Sequence, residues 1–343
     1  MEIPEETWSA RRDMAGGVEP LPVAVSESPH PSPLPKGPKG EGAKDLSIVV
    51  VSYNTRDVLA RCLASVRAAW ESVDAELIVI DNASADGSPD LVAGRFPEAT
   101  LIKSDRNVGF AAANNLGFAR ARGRYVLLLN PDAELRPDAL RRLVEFADAH
   151  PEAGAVGARL ENPDGSLQHS AFRFPDLRQA LFGFFELVPL DGSTNGRYRP
   201  EQYERPFQAE HLLGACLLLR GEALDQVGAF DPRYFMYFEE TDLCARLRRA
   251  GWQNLYTPEA RVVHLGAAST SSAREEMSVE FHRSQAYFYR KHRGLVGYAA
   301  LKVIVWLGVG YRLARTLRAY LRGRIERALL RQRLVGYWRI LWF

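Results

Sequence analysis

Cysteine is scarce in this chain: Cys62, Cys216 and Cys244 are the only three in 343 residues, far apart and without CxxC spacing. That argues against a disulfide framework and for buried thiols in a reducing compartment. Net charge is also nearly missing, +2 overall, so no global positive field marks a nucleic-acid binder, and no nucleic-acid partner is expected. The opening stretch MEIPEETWSARRD holds no apolar run of signal-peptide length, so the expectation is a cytoplasmic chain. The turn after the first strand-like run reads SYNTRD, without the G-x-G-x-x-G that lets backbone approach a dinucleotide pyrophosphate. An oxidoreductase of that type is therefore disfavoured.

What is present changes character along the chain. Residues 1–44 are rich in Pro, Gly, Ser and Glu and read as a disordered leader, too poor in apolar surface to offset the entropy of ordering. Leu46–Val51 (LSIVVV) is an unbroken β-branched run, as a strand buried on both faces requires. Leu59, Cys62, Leu63 and Val66 then recur on one face of a helix. Glu76–Ile80, Thr100–Lys103 and Tyr125–Leu129 read as further strands. Between them lie a helix with Ser88 as N-cap and Pro89 at its first position, and an Ala-rich helix over 110–122 stopped by Gly123. Pro137 opens another helix, with Leu140, Leu143, Val144 and Ala147 on one face. This alternation predicts an α/β fold with an open, mostly parallel, Rossmann-like sheet flanked by helices, and with ligands at the carboxyl ends of its strands. Residues 161–210 predict loops and short strands over a site, His211–Arg220 a strand, and Thr241–Ala250 a helix closed by Gly251.

Polar clusters fall at those strand ends. Asp81, in VIDNASADGS, can accept hydrogen bonds from a ribose or base, although Asn82, Asp86 and Gly87 are ordinary turn formers. Asn107 and Gly109 open a helix whose N-terminus suits a diphosphate, and capping explains them equally well. Asn130-Pro131-Asp132-Ala133-Glu134 puts oxygen ligands directly after a strand. Asp132 is the candidate for holding Mg²⁺ or Mn²⁺, ions that fill their shells with phosphate and water. Glu134 equally suits the acidic start of the next helix. Glu239, Glu240 and Asp242 crowd a helix start beside Phe235, Tyr237 and Phe238, a setting that can adjust the pKa of a base. His264 closes a short apolar run and is a candidate late metal ligand.

The ordered set IVVVSYN, VIDNASADGS, NVGFAAANN, LLLNPDAEL, GACLLLRGEAL, VGAFDPRYFMYFEETDLCARLRRAGW and VVHLGAAST, over roughly residues 46–270, resembles family 2 glycosyltransferases with the GT-A fold, in particular their bacterial rhamnosyltransferase-like branch. The resemblance implies an inverting, metal-dependent transfer of a sugar from a nucleotide-diphosphate donor, with dTDP-rhamnose favoured. The implied acceptor is a hydroxyl of a lipid-linked or polysaccharide molecule in cell-envelope glycan synthesis. It places Asp81 on the donor nucleotide with Ser52 and Asn54 beside it, and Asn130 and Asp132 at the metal–diphosphate motif. It makes His264 a further metal ligand and Glu240 the base, with Glu239 and Asp242 as the competing acids. Two positions depart from the family pattern: Asn130 stands for an acid, and Glu240 for the shorter Asp. The alternatives are a nucleotidyltransferase or a catalytically weak nucleotide-sugar-binding scaffold.

The division expected is leader 1–44, GT-A domain 45–270 and a helical, basic C-terminal region 271–343. Between Arg290 and Phe343 stand thirteen Lys/Arg and one acid, leaving −10 for everything upstream. Leu295–Ala314 is near spanning length but carries Lys302 and several glycines. Beyond it Arg312, Arg315, Arg318 and Arg322 lie opposite Leu313, Leu317, Tyr320 and Leu321, the pattern of an amphipathic helix peripheral on the anionic inner face of the cell membrane. A helical bundle or dimer contact is the alternative. A chain cut near Arg290 is expected to stay soluble and active on a short acceptor.

Overall fold

The computed structural model describes residues 44–185, 187, 196–266 and 274–342. The leader expected over 1–44 thus falls, but for its last residue, outside the described residues, as do positions 267–273.

The elements run β1 (Leu46–Ser52), α1 (Arg56–Ala69), β2 (Ala75–Asp81), α2 (Ser88–Arg95), β3 (Thr100–Lys103), α3 (Phe110–Phe118), β4 (Tyr125–Leu129), β5 (Ala133–Leu135), α4 (Ala139–Ala149) and β6 (Ala153–Glu161). There follow β7 (Leu167–Gln168), β8 (Ala171–Phe172), α5 (Leu177–Phe185), β9 (Phe207–Ala209), β10 (His211–Leu212), β11 (Cys216–Arg220), α6 (Gly221–Val227), α7 (Glu239–Arg249), β12 (Gln253–His264), α8 (Arg274–Leu321) and α9 (Arg327–Leu341). The main sheet has the order β3-β2-β1-β4-β11-β6-β12-β5. Its β3-β2-β1-β4 half is parallel, while β11 runs antiparallel between β4 and β6 and β5 runs antiparallel to β12. The sheet is therefore more mixed than the alternation of elements implied.

Burial explains the unbroken apolar strands. Ile48 and Val50 of β1 join Leu77 and Val79 of β2 in one core, under Leu59, Cys62, Leu63 and Val66 of α1 and Leu140 and Leu143 of α4. Val49 and Val51, with Ile78 and Ile80, enter the opposite core with α3, α6, α7 and α8. Each buried Leu or Val contributes about 1.5–3 kcal/mol, so α1 alone is secured by several such terms.

Local readings shift in places. Gly87, left-handed at φ 83°, caps α2, and Ser88 instead donates its hydroxyl to Asp86. α3 ends at Phe118; Gly123 serves another purpose, since a Cβ there would sit 2.5 Å from the Ser47 nitrogen. His211–Arg220 is two strands broken at Leu213–Ala215. β6, one of the central strands, carries Gly154 and Gly157 against Trp252 and Leu212, where small residues are needed and apolar bulk is low.

The C-terminal region is helical, with one break inside α8. α8 breaks at Gly294 (φ 69°, ψ −174°). Both sides of the break contribute to one core, Ala286, Phe288 and Tyr289 before it and Leu301, Val305 and Val309 after it. After it, α8 packs on α5 and α9.

Candidate active site

The carboxyl ends of β1 and β2 make one wall. Ser52 and Asp81 are register partners, and the Ser52 hydroxyl lies 3.0 Å from that of Thr55. Asp81 is buried; its Oδ2 accepts the Ser84 N–H at 3.1 Å, and its Oδ1 has no hydrogen-bond partner in the protein. A buried carboxylate oxygen left without a donor at a strand end is suited to a ligand N–H or O–H. Asn54, left-handed at φ 52°, accepts the Ala85 N–H through Oδ1 and donates its own N–H to Ser84, so its side chain braces the turn beneath Asp81. Asn107 is likewise engaged: its Oδ1 accepts from Asn82 Nδ2 and the Gly109 N–H, while Asn82 Oδ1 accepts the Val108 N–H. Gly109 has φ 85°, and a Cβ there would stand 2.5 Å from the Phe235 carbonyl oxygen, which accepts the Phe110 N–H at 2.7 Å. The α3 N-terminus is thereby joined to the loop that carries the acids.

The β4 end makes the second wall. β5 pairs with the end of β12, placing Ala133 opposite His264 and bringing His264 Nε2 within 3.3 Å of Asp132 Oδ1. Asn130 Nδ2 lies 3.3 Å from the same nitrogen. Gln168 sets the tautomer. Its Nε2 donates to Asn162 Oδ1 and the His264 carbonyl, so its Oε1 is the acceptor 2.6 Å from His264 Nδ1. Nδ1 donates there, and Nε2 is directed toward Asp132 and Asn130, the orientation a metal-ligating histidine needs. One carboxylate and one imidazole with such an outer partner fit a hard divalent ion whose remaining ligands are phosphate and water. Among the described residues no cluster of three or more His, Cys, Asp or Glu is arranged around a metal position. Glu134 turns away and pairs with Arg61 at the surface.

The acids stand across from this wall. Tyr237 and Phe238 are consecutive left-handed residues (φ 68° and 69°), strained for aromatics, and they turn the chain into α7. Burial pushes the Glu239 carboxyl well above the usual range, reinforced by the charge of Glu240; burial also raises Glu240. The two carboxyl groups are hydrogen-bonded to each other, and Glu240 also accepts the Gly214 N–H. Gly214 packs against the Glu240 Cβ, and the next residue, Ala215, accepts the Asn130 N–H. Gly214 and Ala215 thus join Glu240 to Asn130, whose amide stands beside the Asp132–His264 pair.

Asp242 does not join them, which corrects its inclusion among the candidate bases. Its side chain has no exposure; Oδ2 takes Arg246 Nε at 2.8 Å, and Oδ1 takes both Lys291 Nζ and His292 Nε2 at 2.6 Å. Although burial alone would raise it, the His292 hydrogen bond, with Arg246 and Lys291, holds its carboxyl down at about 2. A carboxylate this fully engaged is an anchor. The structure also adds Gln168, Gly214, Lys291 and His292 to the site's surroundings. Gln168 and Gly214 carried no chemical signal in sequence, and Lys291 was hidden within the basic tail.

Comparison with known proteins places the chain in a family. The model of Glycosyl transferase family 2 matches residues 47–228. An N-acetylglucosaminyl-diphospho-decaprenol L-rhamnosyltransferase of Mycobacterium tuberculosis is 35% identical, over 73% of this chain and 85% of that protein. A rhamnosyltransferase of Escherichia coli is 25% identical, over 63% of this chain and 82% of its own length. A mannosyltransferase from Pyrobaculum calidifontis, solved with GDP-Man and Mn²⁺, shares the fold, with a TM-score of 0.54 at 17% identity, covering 98% of this chain and 94% of that one. Together the match over more than half the chain, the extended similarity to rhamnosyltransferases and the GT-A sheet show that the chain belongs to glycosyl transferase family 2.

Proposed function

We propose that this chain transfers a sugar, L-rhamnose from dTDP-rhamnose, with inversion onto a hydroxyl of a lipid-linked saccharide in cell-envelope glycan synthesis. The observation that carries the reading is the run of contacts from Glu240 through Gly214-Ala215 and Asn130 to the Asp132–His264 pair. Asp132 and His264 would hold Mg²⁺ or Mn²⁺; bound there, the cation supplies charge neutralisation for the departing diphosphate. Asp81 Oδ1 accepts from the nucleotide, and the α3 N-terminus faces the diphosphate. Glu240, ionised and of raised basicity, removes the acceptor proton, while the protonated Glu239 steadies it. One displacement with a base and no protein nucleophile gives inversion. The relatives act on a diphospho-decaprenol saccharide or carry a rhamnosyltransferase name, which supports the donor and acceptor classes.

The test is a donor panel of dTDP-rhamnose against UDP- and GDP-sugars, with a GlcNAc-diphospho-lipid acceptor, following nucleoside diphosphate release and the product anomer by NMR. The expected result is acceptor-dependent dTDP release and an inverted linkage. Retention would overturn the mechanism. Donor binding without transfer from any donor would favour the scaffold reading.

The C-terminal hairpin supports a peripheral membrane location. Among the described residues one helix, Glu276–Leu321, is long and apolar enough to cross a membrane. One side of it is occupied, however: Gly308 packs on Phe184, and Arg312 donates to the carbonyls of Gly183 and Phe184. Its other side exposes Val296 (85%), Val303, Trp306, Leu307, Leu317 and Leu321, continued on α9 by Trp338 and Trp342. Apolar side chains on one face with arginines along the flanks suit a hairpin lying in the plane of an anionic bilayer surface. There it would meet a lipid-linked acceptor.

A further inference from the structure

Lys291 belongs to the C-terminal helix, yet its ammonium group sits between two carboxylates of the catalytic body. It donates to Asp231 Oδ2 at 2.8 Å and to Asp242 Oδ1 at 2.6 Å, with both acids buried. Asp231 stands before, and Asp242 just after, the segment that contains the strained pair Tyr237-Phe238 and the acids Glu239 and Glu240. We infer that Lys291 is a positioning residue for Glu240: it ties the two ends of the acid-bearing loop together and so fixes where the base stands. This rests on the reading of Glu240 as the base.

The neighbouring contacts support a clamp centred on this lysine. Arg233 forks onto Asp231, Tyr287 donates to it at 2.9 Å, and His292 and Arg246 complete Asp242. Burial works against ionised Asp231, but Arg233 and Lys291 hold it far below the ordinary carboxylate range. Ser284, two turns earlier on the same helix, donates to the Met236 carbonyl at 2.8 Å, and Phe238 packs on Phe281 and Phe288. The loop is therefore held by α8 on one side and by the Gly109-Phe110 backbone on the other. Glu240 itself makes no contact with Lys291 that would involve the lysine in proton transfer, so its influence runs through geometry. A base displaced by about 1 Å can lose on the order of a hundredfold in rate.

The same contacts revise the C-terminal boundary. A chain cut near Arg290 loses Lys291 and His292 and leaves the buried carboxylates of Asp231 and Asp242 with fewer partners, a destabilising change. The functional body extends through residue 293, to the break at Gly294.

The experiment compares Lys291→Met, Lys291→Arg and the double variant Lys291→Met/Asp231→Asn in the full chain, on a short water-soluble acceptor, measuring kcat, donor KM and thermal midpoint. Lys291→Met is expected to lower kcat by about ten- to a hundredfold with donor KM within about twofold, as expected when a positioned group is displaced. Lys291→Arg recovers part of kcat. The double variant removes one of the two carboxylates that Lys291 held and recovers part of the thermal midpoint, while kcat stays low because the tie is still missing. If kcat of the double variant returns with its midpoint, or if Lys291→Met turns over within about threefold of the parent below its melting temperature, the positioning role is refuted. Glu240→Gln, run alongside, separates the two failures: unimpaired turnover there removes the base reading itself.

Discussion

The acid pair allows a test in which two isosteric changes, one residue apart, should behave oppositely. In Glu240→Gln the side chain keeps its volume and can still accept the Gly214 N–H, so the backbone around Ala215 and Asn130 is not disturbed. What disappears is the carboxylate that takes the proton. General-base assistance is worth about 10²–10⁴ in rate, or about 2.7–5.4 kcal/mol at 1.36 kcal/mol per tenfold. Glu239→Gln replaces a carboxyl that burial pushes well above the usual range, toward its neutral form. The amide N–H of glutamine can donate to Glu240 as a neutral carboxyl O–H does, and turnover should stay within about tenfold of the parent. The pH dependence of stability separates the two as well. The folded-state pKa of Glu239 is raised, so ionising it costs the fold stability as pH rises from the unfolded value through the folded one. Glu239→Gln should therefore gain thermal stability relative to the parent as pH increases. The assay is single-turnover transfer of radiolabelled sugar with donor held above its Kd, paired with calorimetric nucleotide binding to show that the donor site survives. A dead Glu239→Gln beside an active Glu240→Gln would refute the assignment of the base and of the shared proton.

Other consequences are more briefly stated. Asp132→Ala and treatment with EDTA should each abolish transfer, and only the EDTA-treated parent should recover with Mg²⁺ or Mn²⁺; full activity in chelator would remove the metal role. Gly109→Ala, whose Cβ would lie 2.5 Å from the Phe235 oxygen at a positive φ, should cost about 2–6 kcal/mol by the sum of backbone strain and overpacking, read by denaturant melts; a loss under about 1 kcal/mol would mean the loop yields freely. Full-length protein should co-sediment with anionic vesicles at low salt and much less at high salt, and a chain ending at Arg293 should not. Equal sedimentation of the two would leave the hairpin as a packing element. As pH falls from about 4 toward 2 the stabilisation from Asp242, whose folded pKa is about 2, should be lost, and Asp242→Asn should flatten the acid limb of a melting-temperature profile.

Much of the nucleotide-binding half could be read from residues because burial on both faces of β1, β2 and β4 produces continuous apolar runs, and because their carboxyl ends carry Asp81 and Asp132 within a few residues. Elements with mixed surroundings were harder. β6 uses Ala and Gly because neighbouring side chains crowd it, and this removes the bulk that marks a strand. Within the site, short spacing made Glu239, Glu240 and Asp242 look equivalent. Asp242 is two residues beyond Glu240 on α7, about 200° around the helix at 3.6 residues per turn, and so faces the C-terminal helix instead. Gln168 and Lys291 act across 96 and 60 residues of chain, on His264 and Asp231, and no local pattern encodes such a partnership. Asn54 and Asn107 lay in the right loops for contact with the donor, but their side-chain oxygens are occupied by backbone and amide donors.

The three-pair ladder between β5 and β12, Val262 with Leu135, Val263 with Glu134 and His264 with Ala133, lies at the outer edge of the sheet. Side chains alternate across a strand, so a slip of one residue would exchange His264 for Val263 beside Asp132 and take the imidazole to the opposite face. Cation affinity is therefore also a gauge of strand alignment. An ion shared by Asp132 and His264 would bind only the aligned arrangement, and its binding energy would be delivered to the short edge strand β5. Hydrogen exchange at β5 amides, slowed selectively by Mn²⁺ and donor, would show ligand and edge strand stabilising each other.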